Sequence, residues 1–249
     1  MKPRLYSQPK HNQLLAALRT EDYKVLLPSL EPVRLKTGQI IFSEGDAIDS
    51  VLFVTMGVAS VRAAEGSSEV ELELVGAEGL VGLLLFIESQ ALYKVVMVNA
   101  GEAYALPRKH MNRHASPGTH MAKIVRLYTG LTVRLLAHGA LCASFHTVEQ
   151  RLAKWLLTMR DRVNDESFSI THELISITLG VRRASVTAAF HAFEKQGLIS
   201  YSRGEVTIAD HGGLETSACS CYRYTREQTD KFLKNLKSQD LQKHNSPFR

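Results

Sequence analysis

Cysteine is scarce in this chain. Only three occur among 249 residues, Cys142, Cys219 and Cys221, an odd count without the spacing of a disulfide framework. Disulfides are therefore not expected to hold the fold, and a reducing, cytoplasmic setting is expected. Long apolar runs are also lacking. Val81 to Ile87 is ended by Glu88, far short of the roughly 18 to 20 residues that span a bilayer, so no membrane partner is expected. The opening Met1-Lys2-Pro3-Arg4-Leu5-Tyr6 has no apolar stretch of the kind a secretory signal needs, and export is not expected. Between His11 and His110 there is no histidine. The barrel segment thus lacks the imidazole ligands that iron, zinc or manganese centres in small-barrel enzymes need, which argues against a cupin-like metal enzyme. No nucleophilic triad, phosphate-cradling loop or catalytic carboxylate pair is recognisable. The chain reads as a non-enzyme, with no metal site.

What is present is an ordinary globular composition, 45% hydrophobic and 22% charged, with room for a sizeable core in one or two domains. The net charge of +5 becomes informative once divided. Residues 1–107 carry 9 basic and 13 acidic groups, and residues 108–249 carry 21 basic and 12 acidic groups. An acidic half precedes a basic one, and two halves of opposite sign suggest two jobs.

From Leu30 to Pro107 short apolar segments alternate with glycine-bearing turns: Gly38 to Phe42, Glu44-Gly45-Asp46, Val51 to Val54 and Gly57 to Val61. This rhythm predicts a small antiparallel barrel or sandwich. Glu69-Val70-Glu71-Leu72-Glu73-Leu74 alternates with period 2, as a strand with a solvated carboxylate face does. Tyr93 to Val98 and Ala103 to Leu106 continue the pattern. Leu83, Leu84, Leu85, Ile87 and Leu92 are expected inside, as packed core or as the lining of an apolar pocket.

At Ser116-Pro117-Gly118 the period changes to that of a helix, with Ser as cap and Pro at the first helical position. Ile124, Tyr128, Leu131, Leu135, His138 and Cys142 then repeat at steps of four and three, a seam suited to a partner helix in a homodimer. A second helix fits Thr147 to Arg162: Val148, Leu152, Trp155, Leu156 and Met159 form one stripe, while Arg151, Lys154, Arg160 and Arg162 face water. His110, His114 and His120 read as solvated loop residues. Cys219 and Cys221, taken as helical, point about 200° apart and do not close on one metal.

Residues 169–208 carry the most specific signal. Thr171 caps a short helix with Leu174, Ile175 and Leu179 inward. Gly180 supplies a left-handed turn, and a second helix puts Val186, Phe190 and Phe193 inward. Arg182, Arg183, Ser185 and Thr187 are left near the start of that second helix. A helix fits the major groove, arginine pairs with the two acceptors of guanine, and hydroxyls with helix amides hold phosphates. Ser200 to Ile208, bent at Ser202-Arg203-Gly204-Glu205, reads as a β-hairpin wing with Arg203 close to the duplex backbone.

With these motifs in place the chain resembles the Crp/Fnr family of bacterial transcription regulators. The glycine rhythm of Gly38, Gly45 and Gly57, followed by Glu78-Gly79-Leu80-Val81-Gly82-Leu83, is similar to a cyclic-nucleotide-binding domain. Leu179-Gly180-Val181-Arg182-Arg183 through Gln196-Gly197-Leu198-Ile199 is similar to the family's helix-turn-helix. The resemblance implies an α+β fold in four parts. A jelly-roll-like antiparallel β-barrel sensor takes residues 1–108, a dimerisation helix 109–145, a winged helix-turn-helix 146–212 and a helical extension 213–249. It implies a homodimer on a palindromic operator in double-stranded DNA, with RNA polymerase as a further partner. Site residues carried over by the resemblance are Thr171, His172 and Ser185 at phosphates, Arg183 at a base, and His191 further along the helix.

Departures from the family pattern matter as much. Members that bind cyclic AMP use a Gly-Glu pair for the ribose and an Arg-Ser or Arg-Thr pair for the phosphate. Those positions fall here on Gly82-Leu83 and near Ala91-Leu92. Leucine accepts no ribose proton and alanine neutralises no buried phosphate, so cyclic AMP and cyclic GMP are not expected as ligands. No cofactor is expected, and Leu83, Ala91 and Leu92 remain as lining of a pocket for an unknown effector. The N-terminal cysteine cluster of Fnr-type iron–sulfur sensors is absent. A ligand-binding adaptor acting through protein contacts would account for the barrel but not for the wing and Arg182-Arg183.

Overall fold

The computed structural model describes residues 6–66, 68–86 and 88–238. Ile87, expected inside the sensor, lies outside them. In chain order the elements are α1 (Gln13–Ala16), α2 (Thr20–Leu26), β1 (Glu31–Leu35), β2 (Ile40–Phe42), β3 (Ser50–Glu65), β4 (Ser68–Val75), β5 (Leu80–Val81) and β6 (Lys94–Pro107). Then follow α3 (Arg108–His114), α4 (His120–Phe145), α5 (Val148–Val163), β7 (Ser167–Ser169), α6 (His172–Leu179), α7 (Arg183–Lys195), β8 (Ile199–Ser202), β9 (Glu205–Ile208), α8 (His211–Ser217) and α9 (Cys221–Lys237).

The N-terminal strands form one antiparallel sheet in the order β1-β6-β3-β4, with β2 on β6 and β5 on β3. The chain is therefore the mixed α+β architecture expected, an antiparallel sheet, long helices and a C-terminal helix-turn-helix with its small sheet β7-β9-β8. Gly38 and Gly45 make turns as expected, with φ of 78° and 85°, but Gly57 does not. Val51 to Val54 and Gly57 to Val61 lie on the single strand β3, and Gly57 sits inside it with φ 82°. A Cβ on Gly57 would come within 2.7 Å of the Ala100 carbonyl oxygen, and one on Gly101 would meet the Met56 carbonyl at 1.8 Å. The two glycines let β3 and β6 pass through register shifts without a break.

The helix expected to start at Ser116-Pro117 starts later. Gly118 takes a φ of 91°, which interrupts the helix, and Thr119 becomes the cap, its hydroxyl accepting from the Ala122 N–H at 3.2 Å. Along α4 the predicted seam is turned inward. Ile124, Tyr128, Leu131 and Cys142 are buried within this one chain, Leu135 and His138 half-buried. α9 runs back along α4 and covers part of that stripe: Tyr128 packs on Phe232, Arg134 donates to Gln228, and the His138 ring lies 3.8 Å from that of Tyr224. The face of α4 left open carries Leu127, Gly130, Val133, Ala137, Ala140, Leu141, Ser144 and Phe145, all exposed.

α5 begins with a capping box between Thr147 and Gln150 and ends at Asn164 in the left-handed conformation, φ 56°. Its stripe of Leu152, Trp155, Leu156 and Met159 is buried as expected. Arg162, expected in water, instead pairs with Glu78 at 2.7 Å, both side chains largely buried. A second core joins this helix to Ile175, Phe190, Phe193 and Val206 and also to Val58, Leu74 and Val98 of the large sheet. The carboxylate face of β4 is consequently half-buried and hydrogen-bonded, not open to solvent as expected. Glu71 accepts from the Trp155 indole at 2.8 Å and from the Ser60 hydroxyl at 2.7 Å, and Glu73 from Thr132 at 3.4 Å.

Candidate nucleic-acid interface

The geometry of residues 169–208 follows from their caps and turns. Thr171 caps α6 by accepting from the Leu174 N–H at 3.1 Å. Gly180 ends it in the left-handed conformation, φ 61°, and the Val181 N–H returns to the Ser176 carbonyl. α7 then starts at Arg183. Arg182 holds the cap position without a side-chain bond, and no acidic residue stands in the first turn. The free amides and positive dipole end of α7 are thus left for an external anion, beside two arginines. Arg182, Arg183 and Ser185 are exposed, and Val186, Phe190 and Phe193 are buried.

Wing and helices are tied into one surface. Arg203 and Gly204 take φ of 53° and 83°, the consecutive positive values of a two-residue hairpin turn that matches strand twist, and Ser202 faces Glu205 across it. The Ile170 N–H donates to the Gly204 carbonyl at 2.8 Å, which sets exposed Arg203 beside the start of α6. His172 joins that start to α7 and the wing. Its Nδ1 is 3.1 Å from the Thr187 hydroxyl, and its ring stacks on Tyr201 and against Phe190. This corrects the phosphate role expected of His172. Its Nε2 is buried, and burial, then the charge of Arg183, lowers its pKa, so the ring is a neutral strut at pH 7. Thr187 is likewise half-buried, its hydroxyl also donating to the Arg183 carbonyl. His191 is 75% exposed and faces Glu194 at 3.5 Å.

In the sensor unit Leu83, Ala91 and Leu92 line one cavity of about 230 Å³, together with Phe42, Tyr128 and Glu73. No lysine, arginine or histidine is among its lining residues. The histidines between sheet and long helix are not loop residues: His110 and His114 lie on α3, and His120 is buried and accepts from the Arg19 N–H at 3.3 Å.

One expectation is overturned outright. The Sγ atoms of Cys142, Cys219 and Cys221 and a ring nitrogen of His146 all lie within 4.8 Å of one another. Cys219 is not helical. It sits in the turn between α8 and α9, so the 200° separation assumed for Cys219 and Cys221 does not apply, and Cys142 arrives from α4.

Two family patterns match the chain: the cyclic nucleotide-binding domain over residues 32–116, and the Crp-like helix-turn-helix domain over residues 150–217. Together they take in more than half of it. The chain belongs to the Crp/Fnr family of transcription regulators. Family members are regulators that bind DNA, not enzymes, and the helix-turn-helix of this Crp/Fnr chain is its DNA-binding domain. Among curated proteins it is 24% identical over 202 residues to the transcriptional regulatory protein btr of Bordetella pertussis, covering 74% of this chain and 80% of that protein. It is 26% identical over 220 residues to the cyclic AMP receptor protein of Thermus thermophilus, covering 84% and 98%. Its fold is shared with FixK2 from Bradyrhizobium japonicum, at TM-score 0.66 and 14% identity, covering 76% of this chain and 98% of that one. It is also shared with a crp/fnr family regulator from Eubacterium rectale, at TM-score 0.61 and 21% identity, covering 86% and 99%.

Proposed function

We propose that this Crp/Fnr regulator works as a homodimer that places one α7 in each of two successive major grooves of a two-fold-symmetric operator. The observation that carries the reading is the exposed start of α7, where Arg182, Arg183, Ser185 and unpaired helix amides stand together, flanked by Thr171 and by Arg203 of the wing. Arg183 reads a base, while Thr171, Ser185 and Arg203 hold backbone phosphates. Excess positive charge in the second half of the chain adds a salt-sensitive component of affinity common to all sequences.

The dimer contact in this reading is the open face of α4. Gly130, Val133, Ala137, Ala140 and Ser144 recur at steps of three and four, with Leu127 and Leu141 beside them. That spacing makes a coiled-coil seam, and its small side chains let two helices approach closely.

The sensor unit does not take cyclic AMP or cyclic GMP. A buried cyclic phosphate needs a cation, and the cavity at Leu83, Ala91 and Leu92 offers none while bringing Glu73 to its wall. Its lining suits a small, mostly apolar effector. The experiment that tests the whole reading is selection of bound sequences from random DNA duplexes by the full chain.

A further inference from the structure

We propose that Cys142, His146, Cys219 and Cys221 form a mononuclear, tetrahedral metal site for a zinc(II) ion at the junction of the long helix and the DNA-reading unit.

The chain delivers the four ligands from three places. Cys142 and His146 stand four residues apart at the end of α4, where the His146 N–H bonds the Cys142 carbonyl at 3.2 Å, and a spacing of four keeps both side chains on one face. Cys219 lies in the turn after α8, its N–H donating to the Gln150 carbonyl at 3.4 Å. Cys221 is the first residue of α9.

Two of the ligand-to-ligand distances are those of one ion, and all of them lie within 4.8 Å. Zinc bonds of about 2.3 Å to sulfur and about 2.0 Å to nitrogen place tetrahedral ligands about 3.8 Å apart for two sulfurs and about 3.5 Å for sulfur and nitrogen. Cys142 Sγ to Cys219 Sγ is 3.6 Å, and Cys221 Sγ to His146 Nδ1 is 3.5 Å. An iron–sulfur cluster distributes its ligands over several irons and holds them wider apart than this set. The three thiols are buried and form a small cluster of their own, separate from both larger cores.

Three thiolates and one neutral imidazole are a soft donor set that suits zinc. Loading is balanced as one zinc(II) taken up and three thiol protons released, which leaves a complex of net charge −1. Lys154 on α5 lines the same cavity wall as Cys142 and faces that charge. A filled site would tie the last turn of α4 to the α8–α9 turn and so fix the α4–α5 junction at His146-Thr147. The consequence for DNA, that loading sets how α7 is presented, rests on the function proposed above; the metal site does not.

The test uses the full chain purified under thiol reductant, with metal content measured by mass spectrometry and the chelated protein titrated with cobalt(II) and then zinc(II). The expected result is one zinc per chain. Cobalt should give thiolate charge-transfer bands and intense visible bands of a tetrahedral site, bleached by zinc, with proton release on loading. Cys142→Ser and His146→Gln should each bind more than about 100-fold more weakly, since outer-shell partners alone cost 10–100-fold, with the folded state of each checked by circular dichroism. No uptake by the reduced wild-type chain would overturn the site, as would tight cobalt binding by Cys142→Ser or an iron–sulfur absorption spectrum. DNA titrations of loaded and metal-free protein read the regulatory consequence separately: unchanged affinity removes that consequence and leaves the site standing.

Discussion

The indole N–H of Trp155 on α5 donates to the Glu71 carboxylate on β4 at 2.8 Å, a bond that fastens the DNA-reading unit to the sensor sheet. Glu71 is enclosed there with Glu73, while Arg162 and Glu78 form a second clasp nearby. Replacing Trp155 with Phe removes one of two donors to Glu71 and leaves one half-buried carboxylate oxygen without its partner, at about 1 to 3 kcal/mol. Urea unfolding should show a loss of that size; an unchanged midpoint and slope would mean that the bond does not hold the units together.

The same pair gives a pH signature. Burial, the largest cause, lifts the carboxyls of Glu71 and Glu73 to about 7 from an ordinary 4.5. A raised carboxyl pKa means that the folded chain keeps protons the unfolded chain has lost. The contribution of these groups is therefore fully favourable below 4.5 and is lost as pH rises through 7. The loss runs at up to about 1.4 kcal/mol per pH unit for each group. Relative to wild type, Glu71→Gln with Glu73→Gln should gain stability between about pH 5 and pH 8. A stability difference that stays flat across that range in denaturant titrations would contradict the burial argument.

Arg183 and Arg203 should separate in kind. Arg183→Ala is expected to lose about 1 to 3 kcal/mol on the best operator and to relax one base position. Arg203→Ala should weaken all duplexes alike and lower the salt slope by about 1. Gel-shift titrations over a salt series distinguish them; equal losses on every duplex for both variants would take base reading away from Arg183.

On α4 the two faces should respond differently to charge. Ala137→Glu lies on the open face and should yield folded monomers by light scattering. Leu131→Glu puts a carboxylate into the core of the same chain and should lower thermal stability by several degrees or abolish folding. If Ala137→Glu kept the dimer mass, the interface would lie elsewhere.

Calorimetry with cyclic AMP and cyclic GMP should give no saturable heat at micromolar concentrations. Micromolar binding of either would show that the cavity at Leu83 and Ala91 neutralises a phosphate without a lining cation.

Much of this was legible in the sequence wherever the signal is local. Thr171, Gly180 and the Arg203-Gly204 pair each set a cap or a turn by their own chemistry, and the helix-turn-helix with its wing lies where they put it. What the sequence hid depends on which segments meet. The step of three and four on α4 occurs on two sides, and only the return of α9 through Tyr224, Gln228 and Phe232 decides which is covered. Alternation in β4 marks a polar face but not its cover, so Glu71 and Glu73 read as wet until Trp155 and Arg162 arrive from 84 and 89 positions further along. His146 carried no signal of its own. Its role follows from Cys219 and Cys221 folding back onto the end of α4.

The central claim is that α7 reads a two-fold-symmetric operator, and selection of bound duplexes from a random library by wild type and Arg183→Ala tests it most directly. The predicted result is a palindromic motif with half-sites about one helical turn apart, roughly 34 Å, in which Arg183→Ala loses preference at one symmetric pair of positions. Recovery of no enriched sequence, or of the same motif undiminished with Arg183→Ala, would contradict it.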